Sequence, residues 1–272
     1  MQFRHLIVAT MLTIPACAVI AGGADNSALP KPQSYGYQMD PNPWIISSDL
    51  YAWMINMNGH VTINHARYTV PQRYEKTLHN VRLGGMLWLS ATKGPWSMFF
   101  DGLYAQLAYR EYVDGIRIKT RNNFALITGG LSYQAYRNVL EETGPTINSS
   151  FSIVPYIGLR AAMVDTVIKT INSTPNINED QHWIQPILGS RFIYQFDTNW
   201  GVTVAGDYGY WGDKSRSINL MSLLSYNNLF GVPALSAHLG YRYMHQYYER
   251  NNGAFKWDMN LYGPIVGMSV TI

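Results

Sequence analysis

About ten segments of the chain alternate apolar residues with small or polar residues over a length of roughly ten residues each. The segment 151–163 illustrates the pattern: its odd positions are apolar from Phe151 to Met163, whereas its even positions include Tyr156 and Arg160. Because successive side chains of a β-strand point to opposite faces, each segment has one apolar face and one more polar face. The pattern predicts β-strands of an antiparallel sheet.

Ten strands are predicted, at residues 44–55, 83–92, 96–110, 121–136, 151–168, 182–196, 200–211, 217–228, 234–247 and 257–272. Tight turns are predicted at 93–95, 197–199 and 231–233, and longer loops at 60–82, 170–181 and 248–256. Short and long connections that alternate are typical of a barrel with tight periplasmic turns and free outer loops. The connection 137–149 is long where a short one is expected, which indicates an unrecognised strand pair there.

The length of the segments favours a transmembrane barrel. A strand that crosses a bilayer at a tilt needs about 9 to 11 residues and directs its side chains alternately to lipid and to the lumen. A soluble β-sandwich gives a similar alternation, since it buries its apolar face and exposes its polar one. An export signal and the abundance of aromatic residues favour the membrane. We predict an all-β, single-domain, up-and-down antiparallel transmembrane barrel of about ten strands, with eight or twelve as alternatives.

Residues 1–24 have the layout of an export signal peptide. Arg4 and His5 precede an apolar stretch at 6–20, which is followed by small residues. A transmembrane helix is the alternative, but the stretch is shorter than about 20 residues and Pro15 interrupts it. We therefore expect cleavage and export.

The exported chain is expected to have no thiol, because Cys17, the only cysteine, lies within the predicted signal. Residues 25–43 contain four prolines among polar residues and glycine, which predicts an extended periplasmic leader. The barrel then occupies residues 44–272 as one domain.

The composition agrees with a protein that exposes a large apolar belt. Charged residues make up 14% of the chain and aromatic residues another 14%. The full chain has a formal net charge of +3; loss of Arg4 leaves 19 basic and 17 acidic residues, or +2, which gives no support for nucleic-acid binding. Aromatic rings near the predicted strand ends are expected at the lipid headgroups: Trp44, Tyr51, Trp53, Trp96, Tyr104, Trp183, Tyr194, Trp200 and Tyr210.

A series of short motifs resembles the small outer-membrane β-barrel proteins of Gram-negative bacteria, the OmpA-type barrel superfamily. The motifs are Asp49-Leu50-Tyr51-Ala52-Trp53, Trp96 with Asp101-Gly102-Leu103-Tyr104, Gly158-Leu159-Arg160, Pro186-Ile187-Leu188-Gly189-Ser190-Arg191, Trp200 with Gly206-Asp207-Tyr208-Gly209, Gly240-Tyr241-Arg242 and Gly263-Pro264-Ile265-Val266-Gly267. The resemblance covers essentially the whole exported chain. It implies a barrel in the cell outer membrane, in contact with membrane lipid and lipopolysaccharide, and it implies no biochemical activity.

The last strand has the pattern that barrel-insertion machinery recognises. Tyr262, Val266, Met268 and Val270 alternate with other residues up to the last residue, Ile272, which stands where an aromatic residue is usual. We expect the insertion machinery to be a partner of this strand. Both chain termini are then expected in the periplasm and the long loops outside.

The alternation also predicts a charged lumen. It places six charged residues on the inner face: Asp49, Asp101, Asp207, Arg160, Arg191 and Arg242. An unpaired charge in a narrow, partly dry lumen costs several kcal/mol, which favours bidentate bonds between arginine and carboxylate. We expect a largely plugged, charge-paired lumen and an envelope-structural role. The alternative is a narrow pore for small solutes or ions, which requires a water path between these charges.

A lipid-modifying hydrolase is a second alternative, with Ser236, His238 and His245 as the best candidates for a nucleophile and a base. A serine and a histidine on one strand face lack the orienting group and oxyanion donor that such chemistry needs, and no Gly-x-Ser-x-Gly motif is present. We therefore predict no enzymatic activity and no cofactor.

Five histidines are candidates for a metal site at the outer mouth: His60, His65, His79, His182 and His245. Their spacing fits no compact ligand motif, so no metal is predicted. In the first long loop, residues 71–82 place Tyr74, Leu78 and Val81 at helical spacing. A short helix capping the barrel and a loop lying over the rim are both compatible with that spacing.

Overall fold

The computed structural model describes residues 43–63, 65–72, 81–113, 116–143, 146–170 and 177–272. The chain divides into two units, Met1–Lys31 and Pro32–Ile272, and every described residue belongs to the second. The predicted signal peptide and nearly all of the predicted leader therefore lie outside the described residues. Within the described ranges, no helix has the length and apolar character needed to cross a membrane.

The described residues form β-strands almost throughout. The strands are β1 (Ile45–Trp53), β2 (Asn56–Ile63), β3 (Ala66–Gln72), β4 (Val81–Lys93), β5 (Trp96–Val113), β6 (Ile116–Tyr133), β7 (Tyr136–Thr143), β8 (Thr146–Thr170), β9 (Ile177–Gln195), β10 (Trp200–Tyr210), β11 (Ser215–Asn227), β12 (Leu235–Arg250) and β13 (Phe255–Thr271). Two single-turn 3₁₀ helices, Leu229–Gly231 and Asn251–Gly253, lie in turns.

Ten of these strands close into a barrel. They pair antiparallel in the order β1, β4, β5, β6, β8, β9, β10, β11, β12 and β13, and β13 pairs back to β1. Each of the ten corresponds to one predicted strand, so the all-β, ten-stranded, up-and-down barrel is confirmed. Where the ten strands pair around the ring, closure leaves no edge strand, which is the condition for strands to cross hydrocarbon with their backbone groups satisfied.

The other three strands, β2, β3 and β7, extend the wall beyond the ring of ten and do not add a further strand to that ring. β2 continues β1, since both pair with β13, and β7 continues β6, since both pair with β8. The connection 137–149 is accordingly a two-stranded ribbon of β7 and the start of β8. The predicted loop 60–82 is partly wrong, because β2 and β3 form a hairpin through Gln72. Residues 73–80, which include most of the segment with helical spacing, lie outside the described residues.

The two ends of the barrel differ. The end at which β1 begins and β13 ends, called the terminal end below, holds Ile46 and Ile272, whose backbones exchange two hydrogen bonds of 2.7 and 2.9 Å. It also holds tight turns after β4, β9 and β11. At the opposite, distal end the strands run further than predicted: β8 continues to Thr170, β9 begins at Ile177, and β12 continues to Arg250. Residues 177–181 of the predicted loop 170–181, and residues 248–250 and 255–256 of the predicted loop 248–256, are therefore strand, while 171–176 lie outside the described residues.

In the part of the wall nearest the terminal end, the apolar side is the exposed side. On β8, Ile157 and Leu159 point outward and are 59% and 58% exposed. Arg160, on the same strand, points into the barrel and is 1% exposed. A water-soluble sandwich has the reverse arrangement, with apolar side chains buried and charges outside. The outer surface is therefore suited to hydrocarbon.

Aromatic rings border this apolar band. Trp96 and Trp200 lie outside at the terminal end and contact the rings of Tyr133 and Tyr226, with centroids 4.8 and 4.9 Å apart. Tyr104 lies outside eight residues further along the same strand as Trp96. At about 3.3 Å per residue and a tilt of about 40°, eight residues span roughly 20 Å of bilayer.

Three aromatic residues predicted for the headgroup level are placed differently. Tyr51, Trp53 and Trp183 pack toward the barrel interior, where Trp53 and Trp183 are 4% and 5% exposed. Their position near strand ends suggested the headgroup level, but the parity of each strand decides which face they lie on. On β1, odd positions from Ser47 to Trp53 point inward, because Leu50 and Ala52 are the exposed ones.

Candidate functional site

The barrel interior contains two kinds of side chain, each concentrated in its own zone. The polar zone, in the part of the barrel that the apolar band surrounds, contains Asp49, Tyr51, Asp101, Thr128, Tyr156, Arg160, Gln185, Arg191, Asp207, Ser217, Asn219, His238 and Arg242. The apolar zone, built mainly from the distal halves of the strands, contains Trp53, Ile55, Ile63, Leu103, Phe124, Leu126, Ala162, Val164, Trp183, Met244, Phe255, Trp257, Met259, Leu261 and Ile265.

Arg160 and Asp207 form the central ion pair of the polar zone. The two guanidinium nitrogens Nη1 and Nη2 donate to the two carboxylate oxygens at 2.8 and 3.0 Å, and both side chains are 2% exposed. Tyr156 and Asn219 also donate to Asp207, at 3.0 and 2.8 Å. A bidentate pair with further donors compensates much of the cost of removing both charges from water.

A second ion pair is joined to the first. Arg242 donates from Nη2 to Asp101 at 2.9 Å, and the hydroxyl of Tyr51 donates to the same carboxylate. Arg242 also donates from Nε to the side-chain oxygen of Asn219 at 2.9 Å. Since Asn219 contacts Asp207, the two pairs belong to one hydrogen-bonded network across the lumen.

Arg191 is held mainly by aromatic rings. Its guanidinium carbon lies 5.2, 5.5 and 5.6 Å from the ring centroids of Trp88, Phe99 and Tyr156, and Nη2 donates to Ser132 at 2.9 Å. A cation over ring faces gains about 0.5 to 2 kcal/mol per contact, depending on how far it is desolvated. Sequence reasoning placed Arg191 in the lumen but did not identify this cage.

Asp49 faces His238, with 4.0 Å between its Oδ1 and the Nδ1 of the imidazole. The six charged residues predicted for the lumen therefore lie inside the barrel, where four of them form the two Arg–Asp pairs. Asp49 and Arg191 have other partners.

The apolar zone was missed by sequence reasoning. Met244, Met259 and Leu261 are completely excluded from solvent. Aromatic rings fill the space beside them: Trp183 stacks on Tyr248 with centroids 4.5 Å apart and planes at 5°. A signal was present, because the pattern inverts along β13. Its inward positions stay apolar toward the distal end, whereas its outward positions change to Asn260, Asp258 and Lys256.

The outer wall is polar beyond the apolar band. Gln106 donates to Asn123 at 3.0 Å, and Asn123 donates to Asp165 at 3.1 Å, so three neighbouring strands are linked on their outer face. On the other side of the barrel, His245 and Asp258 are 2.9 Å apart. Polar residues outside and apolar residues inside are the arrangement of a water-exposed sheet, so the distal part of the wall is suited to water.

The three residues that are candidates for a hydrolase site, Ser236, His238 and His245, do not lie together in the structure. Ser236 lies at the terminal end and donates to Asn227 at 3.0 Å, and His238 points inward beside Asp49. His245 lies nine residues from Ser236 along β12, about 30 Å away at 3.3 Å per residue, and faces outward.

The histidines weighed as metal ligands are also dispersed. His60 lies on β2, His65 is exposed at the β2–β3 turn, and His182 is exposed on β9. His79 lies outside the described residues. Among the residues that the structure describes, no group of three or more His, Cys, Asp or Glu side chains is arranged to hold a metal ion.

No protein-family model and no curated protein matches this chain. Solved structures that it resembles include the outer-membrane protease OmpT of Escherichia coli, with 7% identity over 86% of this chain and 98% of that one and a TM-score of 0.42. Ail, the attachment invasion locus protein of Yersinia pestis, has 11% identity over 84% and 98% of the chains and a TM-score of 0.33.

The toluene transporter TodX of Pseudomonas putida has 10% identity over 86% and 90% of the chains and a TM-score of 0.28. The barrel architecture that the expected resemblance implies is confirmed by the closed ten-stranded sheet itself. At such low identities and TM-scores, the likeness says nothing about activity.

Proposed function

We propose that the chain is an outer-membrane barrel with an envelope-structural role and a lumen closed by its own side chains. The exposed apolar band between aromatic borders supports the location. The tight turns at the terminal end and the taller, polar distal end support an orientation with both termini in the periplasm. In this orientation the last strand, β13, is the one that insertion machinery would contact.

The observation that supports the proposal is the burial of individual side chains in both zones of the interior. Gln185 in the polar zone and Met259 in the apolar zone are each 0% exposed, and Arg160 is 1% exposed. A pore that conducts at rest needs water along its length, and water along this lumen would contact these side chains. Closure across ten strands also locks the wall through contacts between strands that are distant in sequence.

Passage of small solutes is a second candidate, because one column of polar side chains bypasses the apolar zone. The column of hydrogen bonds joins Asp101, Arg242, Asn219, Asp207, Arg160, Ser217, Gln185 and Ser215. Any water path through the barrel would follow this column. Within it, Arg242 and Asp101 join β12 to β5 across the lumen, whereas Arg160 and Asp207 are separated in the wall only by β9.

We infer no enzymatic role. The inference is supported by the separation of Ser236 from His245 and by the hydrogen bond that Ser236 already makes with Asn227. A nucleophile needs a base within hydrogen-bond reach and a third group that orients the base.

Planar-bilayer recording of the purified barrel separates the two candidates. We expect no stable single-channel steps from the wild type, because the ion pair and the apolar zone exclude water. Stable single-channel current steps from the wild type, with an ion selectivity that changes in Asp207→Asn, would overturn the proposal of a closed barrel and support the pore. Asp258→Asn is the matched control, since it removes the same charge from the outer wall.

A further inference from the structure

The distal wall is lowest at the turn between β10 and β11. β9 pairs with β10 only as far as Ile187 opposite Gly209, and β9 extends ten residues beyond this point. β11 begins at Ser215, opposite Tyr248 of β12. The low turn between two tall strands creates a cavity of about 840 Å³, called the lateral recess below.

Three segments line the lateral recess. They are His182, Trp183 and Ile184 of β9; Trp211, Gly212, Asp213, Lys214 and Ser215 at the turn; and Tyr248, Glu249, Arg250, Asn251 and Asn252 at the end of β12. Arg250 donates to the side-chain oxygen of Gln181 at 3.3 Å, which joins the two tall strands. The recess therefore has fixed walls, and its volume lies within the range of about 300 to 1,000 Å³ typical of ligand sites.

The lip of the recess is an exposed aromatic residue on a sharp turn. Trp211 is 67% exposed, and its backbone nitrogen donates to Ser215 at 2.8 Å. Gly212 has a φ of 63°, a left-handed conformation that glycine adopts without strain. The Trp211 backbone is thus fixed by the turn, and its indole side chain lies largely exposed at the edge of the cavity.

The charges in the recess balance. Asp213 and Glu249 oppose Lys214 and Arg250, so the lining has donors and acceptors in similar numbers and no strong net charge. Hydrogen bonds from Tyr247 and Lys256 keep the pKa of Glu249 below its usual range, and this carboxylate therefore remains charged at neutral pH. Such a lining gives no strong preference for either charge and, since most of it is polar, disfavours a purely apolar ligand.

Hydroxyl-rich rings match this lining. A sugar hydroxyl both donates and accepts, so adjacent hydroxyls bind carboxylate, amide and guanidinium groups at once. The apolar face of a sugar ring packs on an indole, which combines a large contact area with a polar edge. We propose that the lateral recess binds a saccharide, supplied by the headgroup of a membrane glycolipid.

The height of the recess indicates this source. It lies directly beyond Tyr208 and Tyr210, whose exposed rings are 6.3 Å apart and border the apolar band on β10. Aromatic rings in this position mark the headgroup level of a bilayer. Ile184, 59% exposed beside the recess, offers an apolar surface to the chains beneath a headgroup. The assignment to the outer leaflet rests on the proposed orientation of the barrel.

Calorimetric titration of the purified barrel in detergent tests the site. The probes are lipopolysaccharide, its delipidated core oligosaccharide, and phosphatidylglycerol as an anionic lipid without sugar. We expect saturable binding of the first two. Trp211→Ala should weaken both by about tenfold, which corresponds to a loss of about 1.4 kcal/mol from the stacked ring. Trp96→Ala, which removes an exposed indole at the terminal end, should leave both affinities unchanged.

Failure of the saccharide site and failure of the proposed function are distinguishable. Binding of the soluble core oligosaccharide to the barrel in detergent does not depend on a membrane or on the orientation of the barrel in it. Binding of lipopolysaccharide without binding of the core oligosaccharide would show recognition of acyl chains and overturn the saccharide site. Equal binding of phosphatidylglycerol would show a charge site instead. Unchanged affinity in Trp211→Ala, or no binding of any probe, would also overturn it. Unheated gel mobility verifies that each variant is folded.

Discussion

The Arg160–Asp207 pair is the residue-scale feature with the largest expected effect on stability. Asp207→Ala leaves a buried guanidinium without its counter-charge, which costs about 3 to 5 kcal/mol. Replacing both partners by apolar residues, Arg160→Met with Asp207→Leu, removes the uncompensated charge. We expect the double variant to lose less free energy of unfolding than Asp207→Ala alone, as measured by urea denaturation in lipid vesicles. A double variant less stable than the single one would show that the hydrogen bonds of the pair outweigh its desolvation.

At the same scale, parity predicted which residues face inward but could not predict which of them meet. Alternation along one strand places Arg191 in the lumen, whereas its cage requires Trp88, Phe99 and Tyr156 from three other strands. The stagger between strands decides such contacts, and the stagger is a property of the closed barrel. The same reason explains why Asp49 meets His238.

At the scale of elements, the break between β1 and β2 depends on one glycine of the neighbouring strand. Met54 interrupts the strand and donates from its backbone to Pro264 at 2.9 Å, and a Cβ at Gly263 would collide with the carbonyl oxygen of Met54. Gly263→Ala must therefore displace backbone, and we expect it to cost about 1 to 3 kcal/mol. Gly85→Ala on β4 is the matched control, because nothing lies within 4 Å of its added Cβ.

Urea denaturation in vesicles measures both glycine variants. Equal stability of Gly263→Ala and Gly85→Ala would mean that the wall relaxes around the break without cost. In that case the interruption between β1 and β2 would be a soft joint, and the register of β13 opposite them would not depend on it.

The strands themselves were predictable because the bilayer imposes one rule on all of them, apolar outside and small or polar inside. Their distal ends were not, because the rule is reversed where the wall leaves the hydrocarbon. β12 and β13 show this most clearly: they were predicted to stop at 247 and to start at 257, and they extend to Arg250 and from Phe255. Sequence reasoning interpreted the reversed segments as loops.

At the scale of the whole molecule, the barrel combines two sheets with opposite requirements in one wall. The part near the termini has an apolar exterior and a polar interior, and the distal part has a polar exterior and an apolar interior. The boundary between them should coincide with the surface of the bilayer. On β6 it falls between Ile127, which is 37% exposed among apolar neighbours, and Asn123, which bonds to Gln106 and Asp165.

Lysine substitutions at these two positions test the boundary, because both side chains face outward on one strand only four residues apart. A lysine near the middle of the bilayer costs about 2 to 4 kcal/mol, and one near the interface about 0 to 1 kcal/mol. We therefore expect Ile127→Lys to lower the free energy of unfolding in lipid vesicles by several times more than Asn123→Lys. If the outer wall at Ile127 contacted water or another protein surface instead of hydrocarbon, Ile127→Lys would cost no more than Asn123→Lys. The difference between the two variants thus measures the depth of the wall in the membrane without any assumption about function.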